Sequence, residues 1–392
     1  MKQYNAMTVI RQSSRTMLGE FFGHEKCLEC LDFKKDKLYE IQTAFLALPD
    51  KILHHLEVIM RNVFNFANSN STMVRLADEV KEFGAEDISK LEQLKSRYDK
   101  AFHIFLHHPE IWEKACTFAQ ADNLCNRYWT RCSALPQIVP LTSKAALETM
   151  GEKISAYFWQ KQVRGKKFLV EYQKRTEHLH YYFIYLSDYA NSYELWSENT
   201  NELECRNECR PINMVLAYDE QYGSLDTYNL GGGEVTAVLQ RIFCETILQH
   251  TLVEKKTLKS AFSINQFLLR TNMLRAIPEL GVKRAWISCL EFTYFGVDRR
   301  RSHRISTGNN VPDDEIYNIM EHDLNRGSVQ ESFTKVRFVR IMLDIELNGV
   351  MRKMCIELTR NSCTLKSNLE ELRIIGEKFI KESGIDAQPD LF

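Results

Sequence analysis

One short segment of the chain concentrates positive charge: it holds Arg299, Arg300, Arg301 and Arg304, with His303 beside the last of them. A planar guanidinium binds phosphate oxygens in pairs, so arginines gathered in this way suit an anionic partner. The whole chain has a net charge of −1 at pH 7, so this positive charge is local. The segment therefore predicts a local anion-binding surface and not a generally basic protein.

The arginine segment is predicted to form a β-hairpin, because a strand rich in aromatic and β-branched residues leads into it. Neighbouring side chains of a strand point to opposite faces, so Arg300, Ser302 and Arg304 share one face. Arg299 and Arg301 lie on the other face. Like charges that share a face repel by about 0.2–1 kcal/mol unless an anion compensates them.

Further cations on neighbouring predicted strands extend this surface, and some of them alternate with apolar residues. Basic side chains gathered on one sheet are the electrostatic signature of nucleic-acid binding. We therefore predict a nucleic-acid-binding face on the C-terminal part of the chain. Its residues are Lys283, Arg284, Arg299, Arg300, Arg301, Arg304, Arg337, Arg340, Arg352 and Lys353.

Two other interpretations of the same cations stay open. They could form a solvated sheet edge that prevents pairing with another chain, helped by ion pairs to Asp313, Asp314 and Glu315. They could also bind an acidic surface on a partner protein, which would make the chain an adaptor or a subunit of a complex.

A row of aromatic residues, Tyr181, Phe183 and Tyr185, occupies alternate positions of another predicted strand. Exposed rows of this kind stack on unpaired bases. Aromatic strands pack inward more often, so these side chains are expected in the core.

Two carboxylates, Asp344 and Glu346, lie on one face of a predicted strand and are the candidates for a divalent-cation site of a nuclease. The lysine that completes the usual nuclease pattern does not follow at the expected spacing. We therefore expect these acids to pair with Arg337, Arg340 or Arg352, and we assign no catalytic residue.

The only compact set of zinc-type ligands is His24, Cys27 and Cys30, in the stretch HEKCLEC. Two thiolates at this spacing form the first half of a zinc clip, which needs four ligands in all. The nearest second half, Cys205 and Cys209, lies far away in the sequence. Neither a structural metal nor a cofactor is therefore predicted.

The totals describe a globular protein of ordinary composition. The chain has 392 residues, with 44% hydrophobic and 26% charged residues, which favours about two domains. No apolar run reaches the length of a membrane span, and the N-terminus lacks a secretory signal pattern. The eleven cysteines are scattered, as is typical of reduced thiols, so a cytoplasmic protein without membrane contact is expected.

The N-terminal part has helical periodicity. Apolar residues from Ile52 to Phe64 recur on one stripe after Pro49 and Asp50. A capping-box pattern at Ser89 predicts the start of a second helix, and further helical segments follow. One of them is predicted from Ser143 to about Gln162. This pattern predicts an all-α domain over residues 1–140.

From about Phe168 the pattern changes to short strands that alternate with helices, grouped βββ-α-ββ-α-ββ-α. The clearest feature is Asn348-Gly349 between two alternating runs, because a type I′ turn needs positive φ at both central residues. The predicted fold class is α+β, with an all-α N-terminal domain followed by a domain of largely antiparallel sheet and packed helices over residues 141–392.

These patterns favour a non-enzymatic cytoplasmic protein that binds nucleic acid through the basic face of its C-terminal domain. The helical domain would then contact a protein partner or hold the same ligand. An accessory factor in a bacterial DNA-processing or phage-defence system would have such a role. The alternatives are an adaptor for an acidic protein partner and a divalent-metal nuclease that uses Asp344 and Glu346.

Overall fold

The structure is a computed structural model that describes residues 3–68, 85–125, 129–197, 202–251, 261–295, 300–308, 311–323, 334–347, 349–365 and 370–386. The chain divides into two compact units, Met1–Leu124 with Leu195–Glu204, and Cys125–Glu194 with Cys205–Phe392. The first unit ends before residue 140, where we predicted the boundary. The reason is that Thr130–Cys132 forms a strand that pairs within the second unit.

The described residues between 3 and 125 form only helices, as the N-terminal periodicity predicts. Serines begin two of these helices: Ser14 accepts a hydrogen bond from the Met17 N–H, and Ser96 accepts one from the Tyr98 N–H. Ser89 starts no helix, because it lies inside one. The helices are α1 (Ala6–Gln12), α2 (Arg15–His24), α3 (Leu38–Leu46), α4 (Asp50–Asn68), α5 (Ala85–Gln93), α6 (Arg97–His107) and α7 (Pro109–Cys125).

In the described residues of the second unit, the strands are accompanied by four α-helices, in an α+β arrangement that confirms the predicted fold class. Its first group contains four consecutive strands instead of three, because Ser224–Tyr228 is also a strand. The elements are β1 (Thr130–Cys132), α8 (Lys144–Gln162), β2 (Phe168–Thr176), β3 (Leu179–Trp196), β4 (Leu203–Asp219), β5 (Ser224–Tyr228), α9 (Gly232–Thr246), β6 (Val282–Phe295), β7 (Arg300–Ser306), α10 (Glu315–Asp323), β8 (Lys335–Leu347), β9 (Val350–Leu358) and α11 (Glu370–Glu382).

A five-stranded sheet has the order β1-β5-β4-β3-β2. Helices α8 and α9 pack on one face of it, where Ile154 and Phe243 meet Tyr182 and Leu216 in a core of fully buried side chains. Ser143 caps α8 by accepting a hydrogen bond from the Ala146 N–H. This cap confirms the predicted start of that helix.

A four-stranded antiparallel sheet has the order β7-β6-β8-β9. Along β8, Val339, Ile341, Leu343 and Ile345 are fully buried, as their alternation predicts, and α10 and α11 contribute side chains to the same core. Strands β8 and β9 are antiparallel neighbours on either side of the predicted turn. Gly349 has a φ of +74°, and Asn348 lies outside the described residues.

Helix α11 connects the two sheets through a buried ionic network. The Arg131 guanidinium on β1 donates to both carboxylate oxygens of Asp226, at 3.0 and 3.1 Å, and to both of Glu377, at 2.8 and 2.7 Å. Arg373 on α11 donates to Asp219 of β4 at 2.8 Å. These five side chains are almost inaccessible to solvent, so the charges compensate one another.

None of the helices in the described part of the chain combines the length and the apolar character that a bilayer crossing requires.

Candidate nucleic-acid interface

The four-stranded sheet positions most of the predicted cations. Its inner face is the apolar core, and we call the opposite side the outer face. In the strand register, Arg304 of β7 lies opposite Glu291 of β6, which in turn lies opposite Phe338 of β8. Arg340 of β8 lies opposite Glu357 of β9 on the same face. These side chains therefore occupy one surface.

Three of the predicted cations are bound by neighbours within the second unit. Lys283 contacts the Glu346 carboxylate at 2.8 Å. Arg284 donates to the Asp313 carboxylate and to the Val311 carbonyl. These contacts make Lys283 and Arg284 part of the sheet's own charge balance, as the interpretation of a solvated edge expects.

Arg340 is the third of these cations. Its Nε and Nη2 donate to one carboxylate oxygen of Glu357, at 3.0 and 2.8 Å. These hydrogen bonds raise the pKa of Arg340 above its ordinary value. The Arg340 side chain is still 32% exposed, so part of it is accessible to solvent.

Four more of the predicted cations divide between the two faces. Arg304 and Lys353 are exposed on the outer face. Arg301 and Arg352 are exposed on the side of the core, because they share a strand face with the core residues Ile305 and Met354. Among the described residues, none of these four side chains forms an ion pair with a carboxylate.

Two members of the predicted set have no described side chain. Arg299 lies outside the described residues, and for Arg300 only the backbone is described. Arg300 is two residues from Ser302 and four from Arg304 along β7, so the three positions share a face, as predicted.

An aromatic ring lies among the cations of the outer face. The guanidinium carbons of Arg304 and Arg340 lie 5.7 and 5.8 Å from the ring centroid of Phe338. A cation over an aromatic face at this distance gains about 0.5–1 kcal/mol at an exposed site. The ring therefore orients guanidinium groups from two different strands.

The last of the predicted cations, Arg337, lies at a bulge beside Phe338. Val336 pairs with Phe292 and Phe338 pairs with Glu291, so Arg337 is the extra residue between them. Its side chain is exposed, and so is that of Lys335, which precedes it on the strand. The pattern of alternating residues did not reveal this bulge or the role of Phe338.

The two candidate nuclease carboxylates, Asp344 and Glu346, have different surroundings. Glu346 pairs with Lys283, and not with Arg337, Arg340 or Arg352 as we expected. Asp344 lies opposite Lys353 in the register, and its Oδ1 atom is buried without a hydrogen-bond partner.

The predicted zinc-type ligands have separate roles. His24 contacts Glu25 at 2.9 Å, Cys27 is buried in the helical core, and Cys30 is exposed. Throughout the described ranges, no three His, Cys, Asp or Glu side chains are arranged to hold a metal ion.

The aromatic row of β3 belongs to the core, as expected. Tyr181 and Phe183 are 0% and 3% exposed, and Tyr185 is half-buried. Tyr181 packs against Trp129 with ring centroids 6.3 Å apart. The rings of Tyr181 and Phe183 are therefore not available to stack on a ligand.

Comparisons of the chain with protein-family models, with curated proteins and with solved structures found no match.

Proposed function

We propose that the protein binds nucleic acid through the outer face of the four-stranded sheet. We name its ligand-binding part the arginine–phenylalanine surface and define it as Arg304, Lys335, Arg337, Phe338 and Arg340. The observation that carries this proposal is the placement of two guanidinium groups, from β7 and β8, against the single ring of Phe338.

The choice of ligand follows from charge and geometry. Guanidinium groups that are already oriented lose little entropy when they bind phosphate oxygens in pairs. The surface has four cationic side chains, whereas its neighbours in the strand register include the two carboxylates of Glu291 and Glu357, so the local charge is positive. A phosphate backbone presents closely spaced negative charges that match such a surface.

The interpretation of a solvated edge accounts for fewer of these cations. It explains Lys283 and Arg284, because Glu346 and Asp313 of the same unit form ion pairs with them. Arg304 and Arg337 are exposed and form no ion pair with the described residues, and Arg304 lies against an aromatic ring. These two arginines therefore supply the phosphate contacts in this proposal.

The proposal includes a cytoplasmic location. Ten cysteines of the described residues are free thiols, and five of them are buried, which accords with a reducing compartment.

The experiment measures the affinity of the intact chain for a fluorescein-labelled oligonucleotide, by fluorescence anisotropy, across a series of salt concentrations. We expect the logarithm of the affinity to fall linearly with the logarithm of the salt concentration. The double variant Arg304→Glu/Arg337→Glu should bind more weakly, and its slope should be smaller by about 1 for each phosphate that the variant no longer binds.

The matched control is Arg275→Glu, because Arg275 is an exposed arginine of the same unit outside the surface. It should bind with nearly unchanged affinity and slope. The proposal fails if the double variant and the control behave alike, or if the unaltered chain binds no oligonucleotide at low salt.

A further inference from the structure

A second aromatic surface lies at the end of α8. Trp159 in the last turns of this helix is 47% exposed, and Tyr189 on β3 is 50% exposed, whereas their neighbours Phe158 and Tyr182 are buried. The Tyr189 hydroxyl donates to the carbonyl of Gln162, the last residue of α8. This hydrogen bond holds Tyr189 close to the helix end that carries Trp159.

Cations accompany both exposed rings. The Lys166 ammonium lies 5.9 Å from the ring centroid of Trp159, and the guanidinium carbon of Arg164 lies 5.4 Å from that of Tyr189. Arg164 is fixed by hydrogen bonds to Gln162 at 2.6 Å and to Asp188 at 2.8 Å. Arg164 therefore neutralises the charge of Asp188 beside Tyr189. The Asp188 carboxylate does not offset the positive charge of Lys166.

The turn between α8 and β2 holds these groups in a fixed arrangement. The Gly165 N–H donates to the Ser187 carbonyl at 2.8 Å, and the Ser187 N–H donates to the Lys167 carbonyl at 2.9 Å. Gly165 has a φ of +83°, and a β-carbon there would lie 3.1 Å from that of Phe158. The backbone of the turn is therefore pinned to β3, and Lys167 projects from it as an exposed cation.

We propose that Trp159, Tyr189, Lys166 and Lys167, together called the turn surface, bind single-stranded nucleic acid. Unpaired bases would stack on the two exposed rings, while the two lysines contact the phosphates that link them. A duplex offers no free base faces, so the turn surface selects the single-stranded form. This inference rests on the proposed function for its class of ligand, but it uses a different sheet and different residues.

The test compares variants of the intact chain for binding to a fluorescein-labelled oligothymidylate of about 12 nucleotides, within the usual site size for such surfaces. Trp159→Ala should weaken binding about 5- to 100-fold, because it removes one stacked base. Trp159→Phe should retain most of the affinity, since a smaller ring still stacks. A duplex of the same length should bind the unaltered chain and Trp159→Ala equally.

The matched control is Trp196→Ala, because Trp196 is another exposed tryptophan, 67% exposed, and lies outside the turn surface. It should leave binding unchanged. Equal affinities of Trp159→Ala and the unaltered chain for the oligothymidylate would overturn the inference, as would equal losses in Trp159→Ala and Trp196→Ala.

The outcomes also separate this inference from the proposed function. If Arg304→Glu weakens binding and Trp159→Ala does not, the turn surface is wrong and the arginine–phenylalanine surface stands. If Trp159→Ala weakens binding and Arg304→Glu does not, the arginine–phenylalanine surface is wrong and the turn surface stands. If the unaltered chain binds no oligonucleotide, both are wrong.

Discussion

The guanidinium carbon of Arg304 lies 5.7 Å from the ring centroid of Phe338, across the intervening strand β6. The same ring also contacts Arg340, so one aromatic side chain orients cations from two strands. An interaction of this kind restricts the guanidinium groups before any ligand arrives, which lowers the entropy cost of binding.

Replacement of this ring should weaken nucleic-acid binding without removal of any charge. We expect Phe338→Ala to bind an oligonucleotide about threefold to tenfold more weakly, because neither arginine is then oriented by an aromatic face. Phe338→Tyr keeps an aromatic face and should bind with nearly unchanged affinity. Anisotropy titrations at one low salt concentration measure both variants, and equal affinities for Ala and Tyr would contradict the expectation.

Removal of the central carboxylate should strengthen binding. Glu291 lies between Arg304 and Phe338 in the register, where its negative charge repels a phosphate. Glu291→Gln should therefore bind about 1.5- to 5-fold more tightly at low salt, with a gain that disappears as salt screens the charge. The salt series described above measures this change. Weaker binding by Glu291→Gln would show that the carboxylate helps to position the arginines and does not oppose the ligand.

The local features of this fold were predictable, because they depend on residues close together in the chain. The alternation from Val339 to Ile345 identified β8 and its buried face, and Ser143 identified the start of α8. Ser89 misled the prediction, because the same short pattern also occurs inside a helix. Ser96 is the N-cap of α6, the next helix, and its hydroxyl also donates to the Gln12 carbonyl.

The arrangement of the candidate site was predictable only in part, because strand register joins residues that are far apart in the sequence. Arg284 meets Asp313, as the interpretation of a solvated edge anticipates. By contrast, the pairing of Arg340 with Glu357 depends on the register of β8 and β9. The position of Phe338 depends on a bulge that the residue types in this segment do not predict.

The buried network around Arg131 should be the most sensitive point of the second unit. Arg131→Met leaves the carboxylates of Asp226 and Glu377 buried without their cation, which costs about 3–5 kcal/mol. Lys153→Met is the control, because it breaks a largely exposed pair with Glu245 and should cost at most about 1 kcal/mol. Urea titrations followed by circular dichroism measure both changes. Similar losses in the two variants would contradict the structural role of the network.

The same network should make stability depend on acid pH. Burial by itself raises the pKa of Glu377, but the charge and hydrogen bonds of Arg131 outweigh burial and leave that pKa below its ordinary value. The unfolded chain takes up this proton at about pH 4.3, the reference value, while the folded chain stays ionised. The stabilisation is therefore complete above that pH and is lost as the pH falls toward the folded pKa.

Unfolding free energies of the unaltered chain and Glu377→Gln, measured from pH 7 downward, test this dependence. The difference between them should be constant near neutral pH and should shrink below about pH 4.3, because the glutamine variant lacks this titration. A difference that stays the same at every pH would show that Glu377 has an ordinary pKa in the folded chain.

Photochemical cross-linking tests the central claim most directly, because it locates the bound ligand on the protein. The intact chain is irradiated with an oligonucleotide that carries 4-thiothymidine, and the cross-linked peptides are identified by mass spectrometry. The account predicts adducts on peptides of β7 and β8, around Arg304 and Phe338. Adducts confined to residues outside the four-stranded sheet would contradict it.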